Sequence, residues 1–197
     1  AALGRTVARV GLSATLGEMD LAKQYLRDEQ VKLVLSDATG QELKLQIRGY
    51  RKIAPLFLDE QEQEQEQNGA IDELDIAQHI FKVMRGSKNL IFINRRQEVE
   101  KYTDLLSRLC ETQRLPNEFM PHYGSLSKEL RQAAEEALKE PNRPANVVCT
   151  STLELGIDIG SVTSIAQIGP PYSVASTRQR LGRSGRQQGD PAILRIY

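Results

Sequence analysis

The run Gln179-Arg180-Leu181-Gly182-Arg183-Ser184-Gly185-Arg186 sets Arg183 and Arg186 three residues apart among glycines. That spacing brings two guanidinium forks together where small residues let a phosphate approach the backbone. A solvated basic helix end would carry the same charge, but paired Gly-Arg repeats give up helix propensity without structural gain. Phosphate reading is the better explanation. A second cluster, residues 150–160 (TSTLELGIDIG), follows an apolar run. In open α/β sheets ligands bind beyond the carboxyl ends of strands, where the hydroxyls of Thr150, Ser151 and Thr152 and the Asp158 carboxylate would be useful. Turn chemistry explains Gly156 and Asp158 equally well. A third, Ser13-Ala14-Thr15, is by itself no more than common helix-cap chemistry after a strand.

The elements that must position these groups alternate short apolar runs with amphipathic helices, the pattern of βαβ units and a largely parallel sheet. Leu90 to Ile93 read as a buried strand, and Val99, Tyr102, Leu105, Leu106 and Leu109 recur at helical spacing. Phe119 to His122 read as a short strand, about 127–139 as a helix and 146–150 as a strand. Further strands are expected at 162–168 and 192–197, with a helix around 173–181 between them. Near the start, 7–12 reads as a strand before a helix through Leu21, Tyr25 and Leu26. Residues 31–36 and 42–48 flank the turn Asp37-Ala38-Thr39-Gly40, a hairpin signal. Residues 59–69, DEQEQEQEQNG, are acidic and without apolar anchors, so a solvated, disordered insertion is expected there. Asp72-Glu73-Leu74-Asp75 spells DExD, yet no strand precedes it and Ile76, Ile80, Phe81 and Met84 continue at helical spacing. A helix N-terminus, where acids suit the dipole, accounts for it.

With 197 residues and 40% hydrophobic content, the chain is composed like a globular protein able to bury a core. Lys+Arg and Asp+Glu both number 26, so any nucleic-acid binding must be local rather than a whole-chain field. No apolar run reaches membrane-spanning length and no signal peptide opens the chain; a cytoplasmic location without membrane contact is expected. Cys110 and Cys149 lack companions at metal spacing, so no metal site is assigned and the pair is expected to be reduced and buried. His79 and His122 have no partner visible in the sequence and read as structural or surface residues. Ala at position 1 and strand-like text at both ends suggest a piece of something longer.

Taken together these segments resemble a superfamily 2 nucleic-acid helicase. Ser13-Ala14-Thr15 is similar to the motif that ends the first RecA-like domain, and FINRR at 92–96 resembles motif four. HYGSLSKELR at 122–131 resembles the segment after it; 150–158 resembles motif five. QRLGRSGR at 179–186 resembles motif six, with the glutamine of the DExH branch rather than the DEAD-box histidine. The wording LELGIDIG and IGPPYSVASTRQRLGRSGR is most similar to the large helicase-related (Lhr-like) group.

The resemblance implies a RecA-like α/β fold, with residues 1–30 the tail of a first RecA-like domain, 31–48 a connecting hairpin and 49–197 the second RecA-like domain. It implies catalytic roles for Arg186 as arginine finger, Arg183 as a second triphosphate contact, and Gln179 in ordering them. Asp158 and Gly156 would lie at the ATP ribose. Arg96 and Thr150 would hold the phosphates of single-stranded DNA or RNA, Gly124 would lie where the backbone approaches the strand, and Ser13 and Thr15 would couple the domains. ATP and magnesium would be bound mainly by the first domain of the parent chain, since these residues contain neither a G-x-x-x-x-G-K-[ST] loop nor a DExH strand. This piece alone is expected not to hydrolyse ATP. The competing reading is a non-catalytic RecA-like module whose arginines read phosphates only, and a third is an inactive structural α/β domain.

Overall fold

The computed structural model describes residues 19–26, 42–50, 70–154, 157–185 and 189–197. Contacts divide the chain into two units, residues 1–40 and 41–197. In the first unit the described element is helix α1, Met19–Leu26. Its expected strand at 7–12, with Ser13 and Thr15, lies outside the described residues, as do 31–36, the acidic stretch at 59–69, Gly156 and Arg186.

The second unit runs β1 (Leu43–Ile47), α2 (Ala70–Met84), β2 (Lys88–Ile93), α3 (Arg96–Thr112), β3 (Phe119–His122) and α4 (Lys128–Lys139). It continues with β4 (Ala145–Cys149), a 3-10 turn (Ser151–Leu153), β5 (Ser164–Ile168), α5 (Val174–Leu181) and β6 (Ala192–Ile196). Its six strands form one sheet in the order β1-β6-β5-β2-β4-β3, every neighbouring pair parallel.

A parallel sheet covered on both faces needs strands apolar on both faces, and the continuous run Leu90 to Ile93 meets that demand. Ile91 and Ile93 pack into one core with Ile80, Met84, Val99 and Leu106 of α2 and α3. Leu90 and Phe92 pack into the other with Ala134, Ala137 and Leu138 of α4. Burying each of the Leu, Ile, Val, Phe and Met side chains contributes roughly 1.5–3 kcal/mol. At the amino end of the sheet Asn89 Nδ2 donates to Asn146 Oδ1 at 2.8 Å and Ser164 Oγ donates to Asn89 Oδ1 at 2.7 Å. This polar ladder pins the register of β2, β4 and β5, because a slip would strand its buried polar atoms.

One boundary differs from the sequence reading. Residues 42–48, expected as an arm of a connecting hairpin whose other arm lies outside the described residues, include β1, which pairs in parallel with β6 from Leu43↔Ala192 to Ile47↔Ile196. The apolar alternation that suggested a hairpin arm serves equally for an edge strand, and β6 supplies the partner. Strand β5 begins at Ser164 rather than 162, with Val162 instead making a single parallel bridge to Ser184. Residues 72–75 lie inside α2, as the helical spacing predicts.

Candidate functional site

Parallel strands aligned as Phe92↔Cys149, His122↔Cys149 and Ile93↔Ile168 end nearly level, so the residues following β2, β3, β4 and β5 share one edge of the sheet. Arg96, Gly124 and Thr150 are brought to that edge by three strands far apart in sequence. A hollow of about 540 Å³ lined by Phe81, Arg85, Leu109 and Leu115 lies at the opposite edge, where α2 and α3 lead into strands, and contains none of these residues.

Arg96 opens α3 behind Arg95, an N-cap whose side chain makes no cap hydrogen bond. Two cations at a helix N-terminus oppose the macrodipole, an arrangement that favours an anion nearby. The Arg96 guanidinium lies 5.0 Å from the centre of the Tyr123 ring, and its Nη1 donates to Ser125 Oγ at 3.0 Å. Its Nε donates to Glu100 Oε1 at 3.1 Å, and the same oxygen accepts from Tyr123 Oη at 2.6 Å. The Tyr123 bond first, and the Arg96 bond second, hold the Glu100 carboxyl below its ordinary range; the carboxylate in turn raises Tyr123. Arg96 therefore stays exposed while ring, hydroxyl and carboxylate orient it. Gly124 sits in the exposed turn between Tyr123 and Ser125, with nothing within 4 Å of where a Cβ would stand. A strand's backbone could approach there unobstructed.

Thr150 follows β4 in extended conformation; its amide donates to His122 O at 3.2 Å, and its side chain makes no cap bond. His122, which the sequence left without a partner, has two: Nδ1 lies 2.8 Å from Thr152 Oγ1 and Nε2 lies 3.0 Å from Glu135 Oε1. The buried imidazole thus ties the turn after Thr150 to α4. His79 likewise has a partner, Tyr197 Oη at 2.8 Å, and burial, followed by Arg48, lowers its pKa.

Behind this edge, motif five and α5 are locked together by arginines. Arg180, 2% exposed, lies over the Phe92 ring at 4.7 Å, donates to Gln167 Oε1, and places Nε 3.4 Å and Nη2 3.5 Å from the two Glu154 carboxylate oxygens. Ser176 Oγ donates to the same carboxylate. Arg183, 7% exposed, donates from Nε and Nη2 to Glu154 O at 3.3 and 3.1 Å and from Nη1 to Ile157 O at 2.6 Å. Glu154 is clamped at both ends, its side chain by Arg180 and its carbonyl by Arg183. One N–H from each of the Arg183 nitrogens Nε, Nη1 and Nη2 thus faces a backbone carbonyl. Gln179 is half-buried on α5, next in sequence to Arg180. Asp158 is exposed, and its Oδ1 accepts from Gly160 N at 3.4 Å, with Gly160 at φ +73°; it closes a turn here. Arg180 and Glu154 were missed because an arginine in a basic run gives no sign in the sequence of which one turns inward.

Among the described residues no three His, Cys, Asp or Glu side chains gather as a metal site, and no helix is long and apolar enough to cross a membrane. Burial raises the pKa of both Cys110 and Cys149.

Residues 70–188 match the helicase conserved C-terminal domain. The chain belongs to that family. The ATP-dependent helicase Lhr-Core of Methanothermobacter thermautotrophicus is 33% identical to this helicase domain over 190 residues, 91% of this chain and 20% of that protein. The Lhr helicase/uracil glycosylase of Escherichia coli K12 is 53% identical over 68 residues, 34% of this chain and 4% of that protein. Among solved structures, Mycobacterium smegmatis helicase Lhr bound to ssDNA and AMP-PNP superimposes with a TM-score of 0.67 at 29% identity, covering 94% of this chain and 23% of that one. The helicase domain is thus of the superfamily 2, Lhr-like type with a RecA-like sheet, and it spans a fifth or less of the length of these curated relatives.

Proposed function

We propose that this domain is the second RecA-like half of an ATP-dependent nucleic-acid helicase or translocase. The observation that carries the reading is the convergence of Arg96, Gly124 and Thr150 at one sheet edge, with Glu154 and Ile157 just beyond Thr150 bonded to Arg180 and Arg183. Arg96 and the Thr150 hydroxyl hold backbone phosphates of single-stranded DNA or RNA, and the open turn at Gly124 lets the strand lie close. Arg186 is the arginine finger at a triphosphate held mainly, with its magnesium, by the first RecA-like domain, and Gln179 orders that site. Arg183 is the second triphosphate contact, and its bonds to the carbonyls of Glu154 and Ile157 link that contact to motif five and so to Thr150. Asp158 and Gly156 lie beside the ribose, and Ser13 and Thr15 transmit closure between the domains.

The test is ATP hydrolysis by the full-length protein with and without single-stranded DNA or RNA. Stimulation by a strand is expected, and the better stimulant names the substrate. Strand binding without hydrolysis would make the domain a non-catalytic phosphate-binding module.

A further inference from the structure

Tyr172 is 71% exposed, with Val174 close by at 74%, on the loop that leaves β5 at the same edge as Arg96 and Thr150. Its hydroxyl donates to Asn94 O at 3.2 Å, the carbonyl two residues before Arg96. Asn94 Nδ2 in turn donates to Pro170 O at 2.8 Å. Pro170 and Pro171 fix two φ angles of the loop, and the Asn94 bonds hold it at both the Pro170 carbonyl and the Tyr172 hydroxyl. Ser173 then caps α5, its Oγ accepting from Ser176 N at 3.0 Å. Isolated exposed apolar side chains are ordinary on protein surfaces. Tyr172 differs in that its polar tip is tied to the segment bearing Arg96 while its ring stays in solvent. A tethered ring offers its face without the entropy cost of ordering a free side chain.

We propose that the Tyr172 ring stacks on a nucleobase of the single strand held at this edge. The proposal rests on the nucleic-acid reading above and adds to it a contact with bases rather than phosphates. Arg96 and Thr150 grip the backbone, which leaves the bases to find apolar partners, and every base has a π-face, so such a contact is tolerant of sequence. Removing one stacking ring typically costs about 5- to 150-fold in affinity.

The experiment measures binding of the full-length protein to a labelled oligothymidine strand and to a fully abasic strand of equal length. Wild type is compared with Tyr172→Ala, Tyr172→Phe and Arg96→Ala. Tyr172→Ala is expected to weaken oligothymidine binding at least about fivefold while leaving abasic binding and the salt slope unchanged, and Tyr172→Phe, which keeps the ring but loses the Asn94 tether, to restore part of the loss. Equal binding by Tyr172→Ala and wild type, or equal weakening on both strands, overturns the stacking role. Arg96→Ala is read separately: weakening on both strands upholds the phosphate contact, and no weakening on either refutes that contact whatever Tyr172 does.

Discussion

Arg96 and Arg180 are the same residue type put to opposite uses. Arg96 stands exposed at a helix N-terminus, oriented by Tyr123, Glu100 and Ser125, whereas Arg180 is buried against Phe92 with Gln167 and Glu154. The first arrangement leaves a charge available to a ligand; the second commits its charge to the protein. Arg183, in the same basic Gly-Arg run, braces the backbone through the carbonyls of Glu154 and Ile157. Position within a motif therefore does not decide whether an arginine reads a ligand or braces the fold. The partners facing it do.

The largest stability effect is expected at Arg180. Arg180→Ala leaves the Glu154 carboxylate buried without its cation, which costs about 3–5 kcal/mol and is read as a lowered denaturation midpoint of this chain. Adding Glu154→Gln to Arg180→Ala should recover part of that loss; no recovery would mean that packing over Phe92, rather than charge, is what Arg180 supplies. Arg183→Ala strips donors from the carbonyls of Glu154 and Ile157, and a loss of about 2 kcal/mol is expected by the same measurement. Arg183→Lys should not rescue it, since an ammonium cannot span both carbonyls with a guanidinium's planar fork. The smallest stability effect is at the exposed arginine: Arg96→Ala should leave the midpoint unchanged, weaken single-strand binding, and reduce the slope of log affinity against log salt by about 0.7–0.9. A lowered midpoint with an unchanged slope would move Arg96 into the bracing class and erase the contrast.

The sheet was legible from periodicity because a doubly covered parallel sheet writes its strands as continuous apolar runs, and Leu90 to Ile93 is such a run. The shared edge followed from the same reading, since parallel strands put their carboxyl ends together. Side-chain direction was not legible. Nothing in QRLGRSGR shows that Arg180 turns under Phe92, because the burial of an α5 residue depends on which face β2 and β5 present to it. His122 looked solitary because Thr152 and Glu135 reach it from elements 30 and 13 residues away. The parallel pairing of β1 was hidden for a similar reason: alternation marks a strand but does not choose its partner.

The most direct test of the motor account is ATP turnover and strand binding measured on one preparation of the full-length protein, wild type against Arg186→Ala. An arginine finger is typically worth roughly three to five powers of ten in rate, so the account predicts turnover lost by that order while single-strand binding stays near the wild-type level. Turnover retained by Arg186→Ala would contradict it.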